Sequence, residues 1–168
     1  MSSKFPKTNA IRILEEAGIP YRLHFYMSEG LLDGPRVAEL IDVSPNRVFK
    51  TLVTQGRTML NYVFVLPVNQ ELDLKLAAAL TGEKYIEMLP ANRLLATTGY
   101  VRGGCSPIGM KKKFTTFFDA AAAERKTICV SAGRLGMQME LEAEALRTLT
   151  DGRYEFITTE AARLLATR

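Results

Sequence analysis

Apolar positions recur along this chain in short blocks whose spacing switches between the helical period and the strand period. Lys7–Ala17 carries Ile11, Leu14 and Ala17 on one helical face, with Thr8 or Asn9 placed to cap it and Gly18 to end it. Pro20 then opens an extended segment, Tyr21–Tyr26, on which His24 and Tyr26 share a face. Gly34-Pro35 begins a short helix through Ile41, since proline suits a first helical turn, and Ser44-Pro45-Asn46 makes a turn. Val48–Gln55 and Thr58–Leu66 read as two strands joined at Gly56-Arg57. The second contains MLNYVFVL, nearly all apolar, which predicts a central strand covered on both faces.

Farther on, Leu72–Leu80 reads as a helix ended by Gly82, Tyr85–Met88 as a short strand and Pro90–Ala96 as a short helix. Thr97–Lys113 is irregular and glycine-rich. Phe114–Phe118, Thr127–Ser131 and Gln138–Leu141 are further short strands, Ala120–Ala123 is a small-residue helical turn, and Glu142–Leu149 is a helix followed by Gly152. Short strands and helices mixed along one chain predict a mixed α/β (α+β) fold. The expectation is a compact single domain over residues 1–168, with a twisted, partly barrel-like mixed sheet surrounded by short helices.

Composition narrows the classes. The 168 residues are 47% hydrophobic and 24% charged, enough apolar surface for a full core. No apolar run reaches the roughly 18 residues a membrane span needs. The opening MSSKFPKTNA lacks an apolar signal core, so a cytoplasmic location and no membrane partner are expected. One histidine, His24, and two separated thiols, Cys105 and Cys129, match no recognised metal-binding spacing, so neither metal nor cofactor is expected. The net charge of +4 permits a polyanionic partner without requiring one. The lysine run Lys111-Lys112-Lys113 reads equally as a solvated face.

Three segments carry candidate chemistry. Lys50 stands between apolar neighbours in a strand, with Val48 and Leu52 on its face. It reads either as an edge lysine with its head in water or as a cation projecting into a cleft to meet an anion, because a buried unpaired ammonium is costly. Gly99–Gly109 holds four glycines and a proline in eleven residues. It reads either as a tight connection or as a loop whose N–H groups approach a ligand and stabilise negative charge. It is not a Walker loop. Ser131–Gly136 is a second glycine turn, an ordinary hairpin loop unless it serves the same cleft. Cys105 has no evident base beside it and reads as a packing residue, as does Cys129. Together these residues suit a phosphate- or ester-bearing ligand without naming it.

The same segments resemble the YbaK family, the bacterial Cys-tRNA(Pro) deacylases related to the editing insertion of prolyl-tRNA synthetase. The resemblance runs from about Thr8 to Phe156. It rests on Val48–Leu52, Leu72–Lys75, Thr98-Gly99-Tyr100 with Gly103–Gly109, and Val130–Gly133 with Gly136. It implies a cleft for the aminoacylated 3′ end of a transfer RNA. Lys50 would hold the terminal adenosine, and Gly103 and Gly104 would lie beside the scissile ester. Tyr26, Thr51, Ser106, Ser131, Gly133 and Gln138 would contact substrate. It further implies that the substrate's own thiol attacks the ester, and that the protein docks on prolyl-tRNA synthetase. Gln138 stands where the family pattern has an aspartate; an amide can hydrogen-bond but cannot act as a base. A deacylase for Ala-tRNA(Pro) or another small aminoacyl-tRNA using water, and a non-catalytic binder of nucleotides or RNA ends, are the alternative readings of the same residues.

Overall fold

Five consecutive residues of the apolar run, Tyr62–Leu66, are buried in the middle of a five-stranded sheet. The computed structural model describes residues 6–27 and 29–167. Its strands are β1 (Arg22–Phe25), β2 (Phe49–Gly56), β3 (Asn61–Pro67), β4 (Ile86–Met88), β5 (Thr115–Asp119), β6 (Thr127–Arg134), β7 (Met137–Glu142) and β8 (Arg153–Glu155). The helices are α1 (Asn9–Glu16), α2 (Gly34–Leu40), α3 (Leu74–Thr81), α4 (Leu94–Thr98), α5 (Ala143–Thr150) and α6 (Thr159–Ala166).

The fold is mixed α/β, as expected, but the strands form two sheets rather than one. The larger runs β4-β2-β3-β5-β8, with β5 parallel to both β3 and β8; the smaller, β1-β7-β6, is antiparallel. Among the described residues a single parallel bridge, Val48 to Cys129, joins them. The main core lies between the sheets, where Val63, Val65 and Phe118 meet Val130, Met139 and Leu141. The other face of the large sheet packs Phe64, Leu66 and Phe117 with Ala77 of α3, and the Phe64 and Phe117 rings stack 5.3 Å apart. Both faces of β3 are thus covered, as its uniform apolar run requires.

Helix starts follow side-chain caps rather than the first apolar residue. Thr8 accepts from Ile11 N at 3.2 Å, Asp33 from Arg36 N at 2.8 Å and Asp73 from Leu76 N at 2.8 Å, so α1 and α3 begin two residues later than the periodicity implies. The β2–β3 turn is longer than Gly56-Arg57 because Thr58 is drawn off the strand: its N–H donates to Glu83 Oε1 at 3.1 Å, and its hydroxyl also bonds Glu83. The Tyr62 hydroxyl donates to the same carboxylate at 2.6 Å. Pro90–Ala96 resolves into a 3-10 turn, Ala91–Arg93, followed by α4, which Gly99 ends at φ 87°. The β6–β7 hairpin extends past Ser131 to Arg134, with an irregularity between the two. Strand β8 and helix α6 were not among the sequence expectations. No helix among the described residues is long and apolar enough to cross a membrane.

Candidate functional site

A cleft of about 670 Å³ opens where the two sheets diverge beyond the Val48–Cys129 bridge. Strand β4 pairs only with Thr54–Gly56, so the first half of β2 has a strand neighbour on its β3 side alone. The cleft runs along that open edge and takes in both Lys50 and Thr51. The opposite wall holds Ser131 of β6 and Gln138 of β7, which face each other in register. The segment entering α2 and the glycine loop close it, through Leu31, Asp33, Arg102 and Gly103.

Lys50 is half-buried, and its ammonium makes no hydrogen bond or ion pair among the described residues. Burial pushes its ammonium below the usual lysine range, and the nearby charge of Glu71 partly opposes the shift. Neither sequence reading of this lysine is complete. It sits on the face shared with Leu52 and Leu66, yet borders the cleft. Two further polar atoms of the lining are buried without a partner, Thr51 Oγ1 and Gln138 Oε1. A buried, unpaired acceptor costs roughly 1–3 kcal/mol, and a bound ligand offering a donor would recover it. The Ser131 hydroxyl accepts from Gly133 N at 3.2 Å.

Tyr100 builds the glycine loop. Its N–H donates to Thr98 Oγ1 at 3.0 Å, and its hydroxyl reaches across to Ile108 O at 2.7 Å. Gly103 lies in the left-handed region, φ 85°, and a Cβ added there would stand 2.6 Å from Leu135 Cδ2 and 2.7 Å from Leu31 Cδ1, so a side chain would clash with both. The Gly103 N–H has no hydrogen bond among the described residues, whereas Gly104 N–H donates to Val101 O at 2.9 Å. Of the two glycines expected beside the ester, Gly103 therefore borders the cleft with a free donor, and Gly104 serves the turn.

Six of the expected residues come together around the cleft: Tyr26, Lys50, Thr51, Gly103, Ser131 and Gln138. Gly104, Ser106 and Gly133 stand behind them. Ser106 is fully buried with its hydroxyl unpartnered, and Gly133 packs on Tyr100 and Thr8. Sequence reasoning missed the α2 wall, Leu31–Val37, whose only signal is apolar residues ahead of the Asp33 cap. Cys105 borders the cleft but burial pushes its thiol up to about 12, so it stays protonated near neutral pH. In the lysine run, Lys111 donates to Ala96 O at 3.3 Å and Lys113 pairs with Asp151, which ties both to the surface.

Folding also gathers donors that the spacing does not reveal. His24, Cys129 and Glu140 place their ligating atoms within 4.8 Å of one another. Glu140 bonds His24 Nε2 at 2.8 Å, Thr127 at 2.8 Å and Arg47 at 2.9 Å. With a guanidinium already seated on the carboxylate, the cluster is a satisfied polar knot between β1, β6 and β7. His24 lies opposite Gln138 in register but bonds Glu140, and it does not itself line the cleft that Tyr26 borders.

The model of the aminoacyl-tRNA editing domain matches residues 33–149 of this chain. A protein of Enterococcus faecalis provisionally named Cys-tRNA(Pro)/Cys-tRNA(Cys) deacylase EbsC is 50% identical over 155 residues, covering 92% of this chain and 94% of the relative. Among solved structures, a hypothetical protein superposes with a TM-score of 0.81 at 21% identity, over 90% of this chain and 99% of the other. A provisionally assigned trans-editing enzyme for prolyl tRNA synthetase superposes with a TM-score of 0.77 at 18% identity, over 92% and 99%. At those identities the two structures speak for the fold.

Proposed function

The chain belongs to the aminoacyl-tRNA editing domain family, and from that premise we propose that it hydrolyses the ester linking cysteine to a mismatched transfer RNA, tRNA(Pro) first among the carriers. The observation that carries this reading is the pairing, in one cleft, of an unpaired cation with buried polar atoms that await a partner. Lys50 on β2 holds the terminal nucleotide through its anionic and polar groups. Gly103 N–H faces the carbonyl oxygen, where negative charge develops during attack; one such donor contributes about 3 kcal/mol. Thr51, Ser131 and Gln138 surround the amino acid.

No side chain of the cleft among the described residues stands as an activated nucleophile. The cysteine of the substrate provides it: its sulfur bonds to the ester carbonyl carbon, the C–O bond to the ribose breaks, and the ribose oxygen leaves with a proton. Water then opens the resulting thiolactone to free cysteine. Proximity within one substrate contributes several kcal/mol, up to about 7–11 in well-oriented cases. The enzyme acts in the cytoplasm in association with prolyl-tRNA synthetase, in keeping with the trans-editing role named for its structural neighbour.

Incubation of the purified protein with Cys-tRNA(Pro) should release cysteine faster than spontaneous hydrolysis; equal rates would sink the proposal. Cys105→Ala should keep activity within about threefold of wild type, because a thiol held near 12 is no nucleophile at pH 7. Total loss in that variant, with the fold intact by circular dichroism, would replace the substrate thiol with Cys105.

A further inference from the structure

Lys50 and Thr51 stand on the large sheet, Ser131 and Gln138 on the small one, so the width of the cleft is the distance between two sheets that have parted. At the Val48–Cys129 bridge the sheets still touch, and both residues are buried there with Ala38 and Val68. Beyond the bridge, β6 runs to Ser131 and β2 to Thr51, about 7 and 10 Å at roughly 3.3 Å per residue. A small rotation at the bridge therefore becomes a change of width between the facing side chains. Apolar packing resists such a rotation poorly because it is non-directional. A charged hydrogen bond resists it well because its geometry is fixed.

Such a contact lies beside the bridge. Arg47 ends the 3-10 turn Pro45–Arg47, one residue ahead of Val48. Its Nη2 donates to Glu140 Oε2 at 2.9 Å and to Thr127 Oγ1 at 2.8 Å. Glu140 faces Cys129 in register on β7, the strand that carries Gln138, and Thr127 begins β6, the strand that carries Ser131. The Thr127 hydroxyl donates in turn to Glu140 Oε2 at 2.8 Å. The chain entering β2 is thus seated on both strands of the opposite wall. We infer that Arg47, acting through Glu140, is a positioning residue that sets the width of the cleft and with it the size of the aminoacyl group admitted; the inference rests on the ester substrate proposed above. The two side chains are 37% and 19% exposed, and an ion pair so placed adds little to stability, which leaves geometry as its contribution. His24 bonds the other oxygen of Glu140 at 2.8 Å, but from β1 within the small sheet, so it steadies Glu140 without crossing the gap.

The test uses the full chain and two unhydrolysable probes, adenosine carrying cysteine or homocysteine through a 3′ amide. They differ by one methylene, which a fixed pocket discriminates by roughly 10–200-fold. Wild type should therefore bind the cysteinyl probe at least about tenfold more tightly, and Arg47→Ala should reduce that preference to about threefold or less. Affinity for adenosine alone should stay as in wild type, because β2 keeps its ladder with β3. Arg47→Lys, which returns the charge with reach to one acceptor, should recover part of the preference. Glu140→Gln should loosen the preference by itself and add nothing in Arg47→Ala. It also carries the test should Arg47→Ala fold poorly. His24→Ala should lower the melting temperature and leave the preference intact. The inference is overturned by an unchanged preference in Arg47→Ala and Glu140→Gln, by an equal loss in His24→Ala, by a parallel loss of adenosine binding, or by a wild type that binds the two probes equally or not at all. These readouts need no ester cleavage. A preference that depends on Arg47, in a protein that leaves Cys-tRNA(Pro) intact, would sink the deacylase reading and keep this one; cleavage with a preference indifferent to Arg47 would do the reverse.

Discussion

Lys50→Ala should lower kcat/KM on Cys-tRNA(Pro) by roughly thirty- to a thousandfold, the largest effect expected of any single change in the cleft. Removing one member of a desolvated charge contact costs about 2–4 kcal/mol when the other is left unpaired, and each 1.4 kcal/mol is tenfold. The Lys50 ammonium has no hydrogen bond or ion pair among the described residues whose loss would confuse the result. Lys50→Arg keeps the charge in a different shape and should recover part of the loss. The pH dependence follows from protonation. Burial holds the ammonium below the ordinary lysine range, and the charged form is the one that meets an anion. The Lys50-dependent rate is therefore fully present at lower pH and falls as pH rises through the lowered value; Lys50→Arg should remove that alkaline limb. Stability runs the opposite way. Below the folded-state value the buried ammonium burdens the fold. Between that value and the higher unfolded-chain value the unfolded state binds more protons, so this burden lifts and stability rises with pH. Lys50→Met should accordingly melt higher than wild type, by about 2–4 °C for each kcal/mol recovered, while losing activity. A Lys50→Met protein that melts lower would show that the ammonium is not strained in the folded state.

Gly104→Ala should impair both stability and rate. The new methyl would sit 3.0 Å from Arg134 Cα, 3.1 Å from Arg134 C and 3.2 Å from Leu135 N. All three are backbone atoms, so no side-chain rotation relieves the contact, and the glycine loop and the β6–β7 turn must separate. Overpacking of this kind costs about 1–3 kcal/mol. The displacement also shifts Gly103, which on the proposed reading faces the ester, and so should slow the reaction. Thermal denaturation and single-turnover kinetics should both fall. Gly30→Ala, where nothing lies within 4 Å of the added methyl, should change neither. Wild-type kinetics in Gly104→Ala would mean that the contact between the loops does not place Gly103.

Much of this architecture is legible in the residues because local signals there agree. Tyr62–Leu66 is apolar without alternation, and only a strand covered twice uses such a run. Asp73 and Gly82 bracket α3 with a cap and a left-handed terminator. Elsewhere tertiary contacts decide. Thr58 leaves the strand pattern for a carboxylate 25 positions away. Strand β8 is three residues held by a parallel neighbour, too short for a periodic signal. The division of the strands into two sheets depends on where β2 loses its outer neighbour, which no pattern within β2 reports. In the site, Lys50 and the glycine loop stand out as locally odd, and their union in one cleft came from the family resemblance. Spacing could not tell that Gly104 N–H is consumed by Val101 or that Ser106 is sealed behind the loop, because both depend on which side of the turn faces solvent.

The single bridge between the sheets has a consequence for descent. Lys50 belongs to one sheet, and the facing pair Ser131 and Gln138 belongs to the other. On the proposed assignment of roles, substitutions in the β6–β7 hairpin would alter which amino acid is removed while leaving the Lys50 contact to the nucleic acid unchanged. If that assignment holds, a lineage of such proteins would diversify in the errors it corrects by rewriting one hairpin while its hold on the RNA end stays the same.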